Sequence, residues 1–358
     1  MTDVVCYYHD PVKAPLLREA VLPALAEAER AGATGHVERH WLHGPHVRVR
    51  LDGPDEVADL VAARLRDHLA TSPSTVDMEH GVLLAQARQN GIAELVPPPY
   101  EPIHPDNTVV VEPTDLTALR RLLLSDVLVN LRTRCLRLGV PAIRDAVAAD
   151  ADSPARVRLA IVAMTAHASR FPAGLVNGYH SFLSHLEGFL LHSDPGGVLR
   201  ARFDAVWERN AEQVVRTVRD VAEGTVPTPW VAWTDRTRAV IEEVFDRGEL
   251  PTAYSHHLGE RALEMDEEEA IRRWHRDHAD RISDYHAKLR EVDFDHPDYR
   301  RPVTVYRFGT NMLYQLLAVC DVTPVERYLA ASLVVRAAQR ITGIAWAEHV
   351  AQMAKVAR

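Results

Sequence analysis

Arg39-His40-Trp41-Leu42-His43-Gly44-Pro45-His46-Val47-Arg48-Val49-Arg50-Leu51 reads as two strand segments joined by a Gly-Pro turn. Side chains alternate along a strand, so Val47, Val49 and Leu51 face a core while Arg48 and Arg50 share the opposite face. Two neighbouring guanidiniums repel unless an anion lies between them, and their forks match a carboxylate bidentately. Two readings follow. Either the arginines pair with nearby acids of the chain, or they clamp a carboxylate or peptide carbonyl of a ligand.

On the N-terminal side, Val4 to Tyr8 is a short apolar-aromatic strand. Lys13 to Ala31 repeats apolar residues at Leu17, Val21, Leu25 and Ala28, a helical stripe in which Pro23 suggests a kink or a break. Gly32 and Gly35 end it. On the other side, Pro54 opens a second helix through Val57, Leu60, Val61, Leu65 and Leu69. The order β-α-β-β-α predicts a small sheet with flanking helices. Pro97 to Pro102 is a stiff extended connector, followed by a β-branched strand from Thr108 to Val111.

From Thr114 the pattern is helical. Leu116 to Leu138 should stop at Gly139 and Pro141. Ser153-Pro154 begins another helix with Ser153 as cap, and more are expected over 174–191, 197–223, 234–247 and 266–291. Thr323-Pro324-Val325-Glu326 is a capping box, opening a helix with Val325, Tyr328, Leu329, Leu333 and Ile341 on one face. Val303 to Phe308 alternates and predicts a late strand returning to the first sheet. The expected class is α+β: a small N-terminal sheet joined by a late strand, plus a large mainly helical portion. The portions are 1–113, 114–300 and 301–358, in one compact unit.

The 358 residues are 47% hydrophobic and 25% charged, with net charge −9 and acids and bases interspersed. No basic arm is present, so nucleic acid is not an expected partner. Cys6, Cys135 and Cys320 lie far apart without a CxxC, which fits a reducing compartment. Without a signal-peptide pattern or a run of about 20 apolar residues, the expectation is a soluble cytoplasmic protein that engages no membrane.

Among the histidines, His256, His257, His275, His278 and His286 fall in charged helical text with no HExxH, and no metal site is expected. Ser184-His185-Leu186-Glu187 lies on an apolar helix. Adjacent positions splay apart there, so Ser184 and His185 are not a nucleophile–base pair; His185 is either an acid–base group or a core histidine satisfied by a carbonyl. Tyr306, Arg307, Thr310, Asn311, Tyr314 and Gln315 form a polar-aromatic cluster, expected to straddle a strand end, a Gly309 turn and a helix start. That is either a cleft lining or a hydrogen-bonded junction. Absence of GxGxxG, a P-loop and GxSxG argues against nucleotide and α/β-hydrolase chemistry.

The aromatic first strand, the His-Trp-Leu-x-Gly-Pro-His-Val-Arg-x-Arg segment and the late strand–helix bearing Asn311 together resemble a known family. It is the C-terminal domain of lantibiotic dehydratases, the thiopeptide-type bacteriocin biosynthesis domain, in its stand-alone form. The resemblance is clearest over residues 4–70 and 300–345. It implies an enzyme that matures a ribosomally made peptide. One branch eliminates glutamate from glutamylated serine or threonine. The other joins two dehydroalanines in a formal aza-[4+2] cycloaddition, losing water and the leader peptide to leave a pyridine.

Eliminating members use an arginine pair, a loop arginine and a late histidine. Here the loop reads Tyr100-Glu101-Pro102-Ile103-His104-Pro105-Asp106-Asn107, without the arginine, and Arg307 stands where the histidine would lie. The resemblance therefore favours a cofactor-independent pyridine synthase, with a glutamate-eliminating lyase or a non-catalytic peptide-binding subunit as alternatives. It implies Tyr306, Tyr314 and Gln315 orienting amides, His185 moving protons, and Arg48, Arg50, His46, Trp41, Arg307 and Asn311 binding peptide. Expected partners are the leader-bearing, dehydrated precursor peptide, other maturation enzymes, and a second copy of the chain as a homodimer.

Overall fold

The structure is a computed structural model that describes residues 1–252, 257–275 and 281–356. In chain order it runs β1 (Thr2–Tyr7), α1 (Ala14–Leu16), a π turn (Leu17–Val21), α2 (Leu22–Arg30), β2 (Thr34–His40) and β3 (His46–Asp52). There follow α3 (Asp55–Thr71), α4 (His80–Glu94), β4 (Thr108–Pro113), α5 (Thr117–Leu123), α6 (Asp126–Ala146), α7 (Ser153–Ala168) and α8 (Leu175–Ser193). The rest is α9 (Val198–Ala222), α10 (Pro229–Asp246), α11 (Leu258–Glu264), α12 (Glu268–Trp274), α13 (Asp284–Leu289), α14 (Pro297–Val319), α15 (Pro324–Thr342) and α16 (Trp346–Val356). The class is α+β. None of the described helices is long and apolar enough to cross a membrane.

Two compact units divide the chain. The first comprises Met1–Asp150, Tyr254–Ala279 and Ala318–Asp321. Its sheet is antiparallel throughout, in the order β2-β3-β1-β4. Register pairs Val49 with Val4 and Val37, and Val47 with Cys6, so one face is apolar and takes α2 and α3. Gly35 on β2 permits that packing, because a Cβ there would sit 2.8 Å from Leu25 and 2.9 Å from the Arg50 carbonyl. Pro23 does not break the helix before it. The missing N–H is absorbed by the π turn just upstream, where Leu22 N–H reaches back to the Leu17 carbonyl. The Asp321 carboxylate caps α1, accepting from the N–H groups of Lys13 and Ala14 and from Arg39 at 2.7 Å.

The second unit comprises Ala151–Ala253, Asp280–Leu317 and Val322–Arg358. Helix α15 packs on α7, α8 and α9. Its buried Ala330, Ala331, Ala337 and Ala338 let those neighbours come close. Gly178 serves the same end on α8: a Cβ there would meet the Ala168 carbonyl oxygen at 2.1 Å. The capping box is present as read, with Thr323 and Glu326 satisfying each other's backbone N–H.

Four sequence expectations need correction. Residues 303–308 are not a late strand but lie inside α14. Their alternation also fits a 3.6-residue period once the window is extended. Val305, Tyr306, Phe308, Gly309, Met312, Leu313, Leu316 and Leu317 are buried along one side, and that burial outweighs local β-propensity. Gly139 and Pro141 do not end their helix, which continues to Ala146 because Val140, Ala142 and Ile143 are buried. That segment is instead interrupted at Leu124, a left-handed residue followed by the Ser125 cap. The α7 cap is Asp152, one residue before Ser153. The stretch 266–291 is not one helix; among the described residues it holds α12 and α13 as separate pieces. Helix α4 carries no strong stripe and went unanticipated.

Histidines held wholly or partly out of water give the fold a pH signature. Burial lowers His40 to about 4, and His167, His180 and His185 to about 3. Each folded value lies below the unfolded 6.5, so the unfolded chain binds protons that the folded chain refuses. Stability is full above pH 6.5 and falls as pH drops toward 4, by on the order of 1–2 kcal/mol per histidine at pH 5. Urea unfolding at pH 7.5 and pH 5 reads this loss; equal midpoints would contradict it.

Candidate functional site

The second face of the sheet is a charged layer. Register places His36 beside Arg50, Glu38 beside Arg48, and Asp3 on the far side of Arg50. Arg48 and Arg50 do share this face. Arg50 is 1% exposed, and its fork is taken up by Asp3, with Nε to Oδ1 at 2.8 Å and Nη2 to Oδ2 at 2.9 Å. Glu38 lies 3.3 Å from Arg50 Nη1 and accepts from Arg132 and His36. Burial alone would raise the Glu38 carboxyl, but Arg132 and His36 hold it well below the usual carboxylate range. Thr114 donates to Asp3 at 2.8 Å.

Arg48 is different. Its side chain is 23% exposed, it meets Asp3 only at 3.4 Å, and its Nε has no hydrogen-bond partner. Of the two arginines it is the one able to bind a ligand without displacing a protein carboxylate. His46 is fully buried; Nδ1–H donates to the Gly44 carbonyl at 2.9 Å, leaving Nε2 a bare acceptor without a partner. Trp41 donates to Glu94 at 2.9 Å and stacks on His40 at 5.3 Å.

In the second unit, the helical state of α14 brings Arg307, Asn311, Tyr314 and Gln315 onto one side, at i, i+4, i+7 and i+8. The Tyr314 hydroxyl lies 3.1 Å from His185 Nδ1 on α8. Arg327 of α15 sits over the Tyr314 ring at 4.5 Å and the Tyr328 ring at 4.9 Å, donating to the Tyr328 hydroxyl at 3.2 Å. Phe189 stacks on Tyr328 at 4.0 Å. Burial and the positive charges of Arg327 and Arg307 push His185 down to about 3. It is neutral at physiological pH, so one ring nitrogen donates and the other accepts. Burial pushes the Tyr314 phenol up. Gln315 Oε1 and Arg327 Nε are buried without partners, two polar atoms left for a ligand.

Tyr306 sends its hydroxyl and ring to other partners. It is buried, donates to the Gly178 carbonyl at 2.8 Å and stacks on His167 at 4.3 Å. Sequence reading missed Arg327, which becomes visible only when α15 is packed on α8. It also missed the partner of Ser184: His286 Nε2 lies 3.0 Å from Ser184 Oγ, and Ser283 Oγ lies 2.7 Å from Nδ1 of the same ring. His256 and His278 lie outside the described residues. Among the described residues no group of three or more His, Cys, Asp or Glu is placed to hold a metal ion.

No protein-family profile and no curated protein matches the chain. Solved structures do. The pyridine synthase TbtD from thiomuracin biosynthesis superposes with a TM-score of 0.71 at 22% identity, over 96% of this chain and 99% of that one. TsrL superposes with a TM-score of 0.62 at 17% identity, over 100% of this chain and 99% of that one. Over nearly its whole length the chain thus has the fold of the thiomuracin pyridine synthase.

Proposed function

We propose that the protein matures a thiopeptide precursor as a cofactor-independent pyridine synthase. The observation that carries this reading is the pair of neutral His185 on α8 and Tyr314 on α14, beside Arg327 of α15, in a fold shared with a pyridine synthase. Ring closure needs one amide in its imidic-acid form, with a proton moved from nitrogen to oxygen. Two alkenes must also be held in contact, and positioning with hydrogen bonding supplies most of the effect. With Nδ1–H directed at Tyr314, the phenol gives its proton to the amide oxygen and is refilled from Nδ1. The proton from the amide nitrogen returns to His185 Nε2 through water. Two C–C bonds then form, one between the two alkene β-carbons and one between the imidic carbon and the α-carbon of the second dehydroalanine, and loss of water and of the leader as its amide makes the ring aromatic. Arg327 and Gln315 bind carbonyl and amide groups of the core, and Arg48 a backbone carbonyl.

Incubation with a synthetic dehydroalanine-bearing precursor tests the reading. Mass spectrometry should show leader release together with loss of water. Glutamate loss from a glutamylated peptide, or an unchanged mass, would overturn it. Arg48→Ala should raise KM about 10–100-fold at nearly constant kcat, because a charge-assisted hydrogen bond to substrate contributes about 1.5–3 kcal/mol in ground and transition states alike. Steady-state kinetics beside an unchanged thermal midpoint checks it.

A further inference from the structure

The first unit holds an open cleft of about 280 Å³ that the chemistry above does not use. One wall is the segment after α3. Thr75 to Met78 is neither helix nor strand and makes no backbone–backbone hydrogen bond. The opposite wall, Ile103 to Asp106, makes a single one, from His104 N–H to the His43 carbonyl. Val76 N–H reaches Ser74 Oγ at 3.5 Å; the other unpaired backbone amides of these two lining segments need water or an added strand. The first wall is held in place: Ser74 N–H donates to Asn107 Oδ1 at 2.7 Å, and Asn107 Nδ2 returns a bond to the Ser74 carbonyl at 3.0 Å.

His9 also lines the cleft, is 6% exposed, and its buried Nε2 has no partner. Val76, Met78, Leu83 and Ile103 supply apolar lining, and none of the lining residues is lysine or arginine. Asp77 on the lining and the nearby Glu79 and Glu101 are exposed, and His80 Nε2 lies 3.7 Å from Glu101.

We propose that this cleft docks an extended peptide segment by strand addition to residues 75–78, apolar side chains inward and basic side chains toward Asp77 and Glu79. The inference rests on the reading of the substrate as a peptide and adds where a segment remote from the reacting residues is held. The probe is a fluorescein-labelled acetyl-Leu-Lys-Leu-Lys-Leu-Lys amide, read by anisotropy and by hydrogen exchange on the full chain. Saturable binding is expected, with slowed exchange over 75–79. It should weaken about tenfold or more when alternate peptide amides are N-methylated, since that removes the pairing donors while leaving the protein untouched.

The same loss is expected for Asp77→Lys with Glu79→Lys, and for a probe with glutamate in place of lysine. No binding at millimolar probe, equal affinity for the N-methylated or glutamate probe, or unchanged exchange over 75–79 would each overturn the proposal. Turnover of the dehydrated precursor is scored separately. Turnover without probe binding removes the docking cleft alone, and probe binding without turnover removes the proposed reaction alone.

Discussion

Tyr314→Phe lowers kcat on a dehydroalanine-bearing peptide by about 10²–10⁴-fold, the range typical of losing a positioned proton donor. The substitution keeps the ring under Arg327 and removes only the oxygen that lies 3.1 Å from His185. His185→Phe should fall in the same range, and the double variant should lose little more than either single one, since the two groups form one relay. Tyr306→Phe provides the contrast. Its hydroxyl is spent on the Gly178 carbonyl, so its removal costs about 1 kcal/mol of stability and leaves kcat in place. If Tyr306→Phe abolished turnover while Tyr314→Phe retained it, the assignment of the reacting face of α14 would be wrong.

Arg50→Ala destabilises the first unit by about 3–5 kcal/mol, the cost of removing one partner from a buried ion pair. Asp3, 2% exposed, would keep only the Thr114 hydroxyl and the longer contact to Arg48, while Glu38 would keep Arg132 and His36. Urea unfolding measures the loss. Pairing Arg50→Met with Asp3→Leu should recover part of it, because an apolar pair of similar volume leaves no charge stranded. A loss below about 1 kcal/mol would show that Arg50 is not the strut of this layer, and it would then be as available to a ligand as Arg48.

Local rules located much of this architecture and failed where long-range packing decided. The capping box at Thr323 was legible because all its atoms lie within four residues. So was the shared face of Arg48 and Arg50, which strand alternation imposes. What alternation could not tell was that Asp3, 47 residues away, claims one of the pair. Val303 to Phe308 misled for a related reason: six residues satisfy two periods at once, and only burial along the rest of α14 selects the helical one. That same helix is why Arg307, Asn311, Tyr314 and Gln315 share a side and why Tyr306 does not. Arg327 over Tyr314 and His286 on Ser184 had no signal in the sequence, since each contact joins helices whose packing no local pattern encodes.

The most direct test of the proposed reaction follows one nitrogen. A precursor carrying ¹⁵N in the dehydroalanine that contributes its amide nitrogen to the ring is incubated with the protein, and the product is examined by ¹⁵N NMR and fragment mass. A pyridine-type ¹⁵N resonance in the released macrocycle, together with an unlabelled leader, is the predicted result. An amide-type resonance in a peptide still joined to its leader would contradict the account.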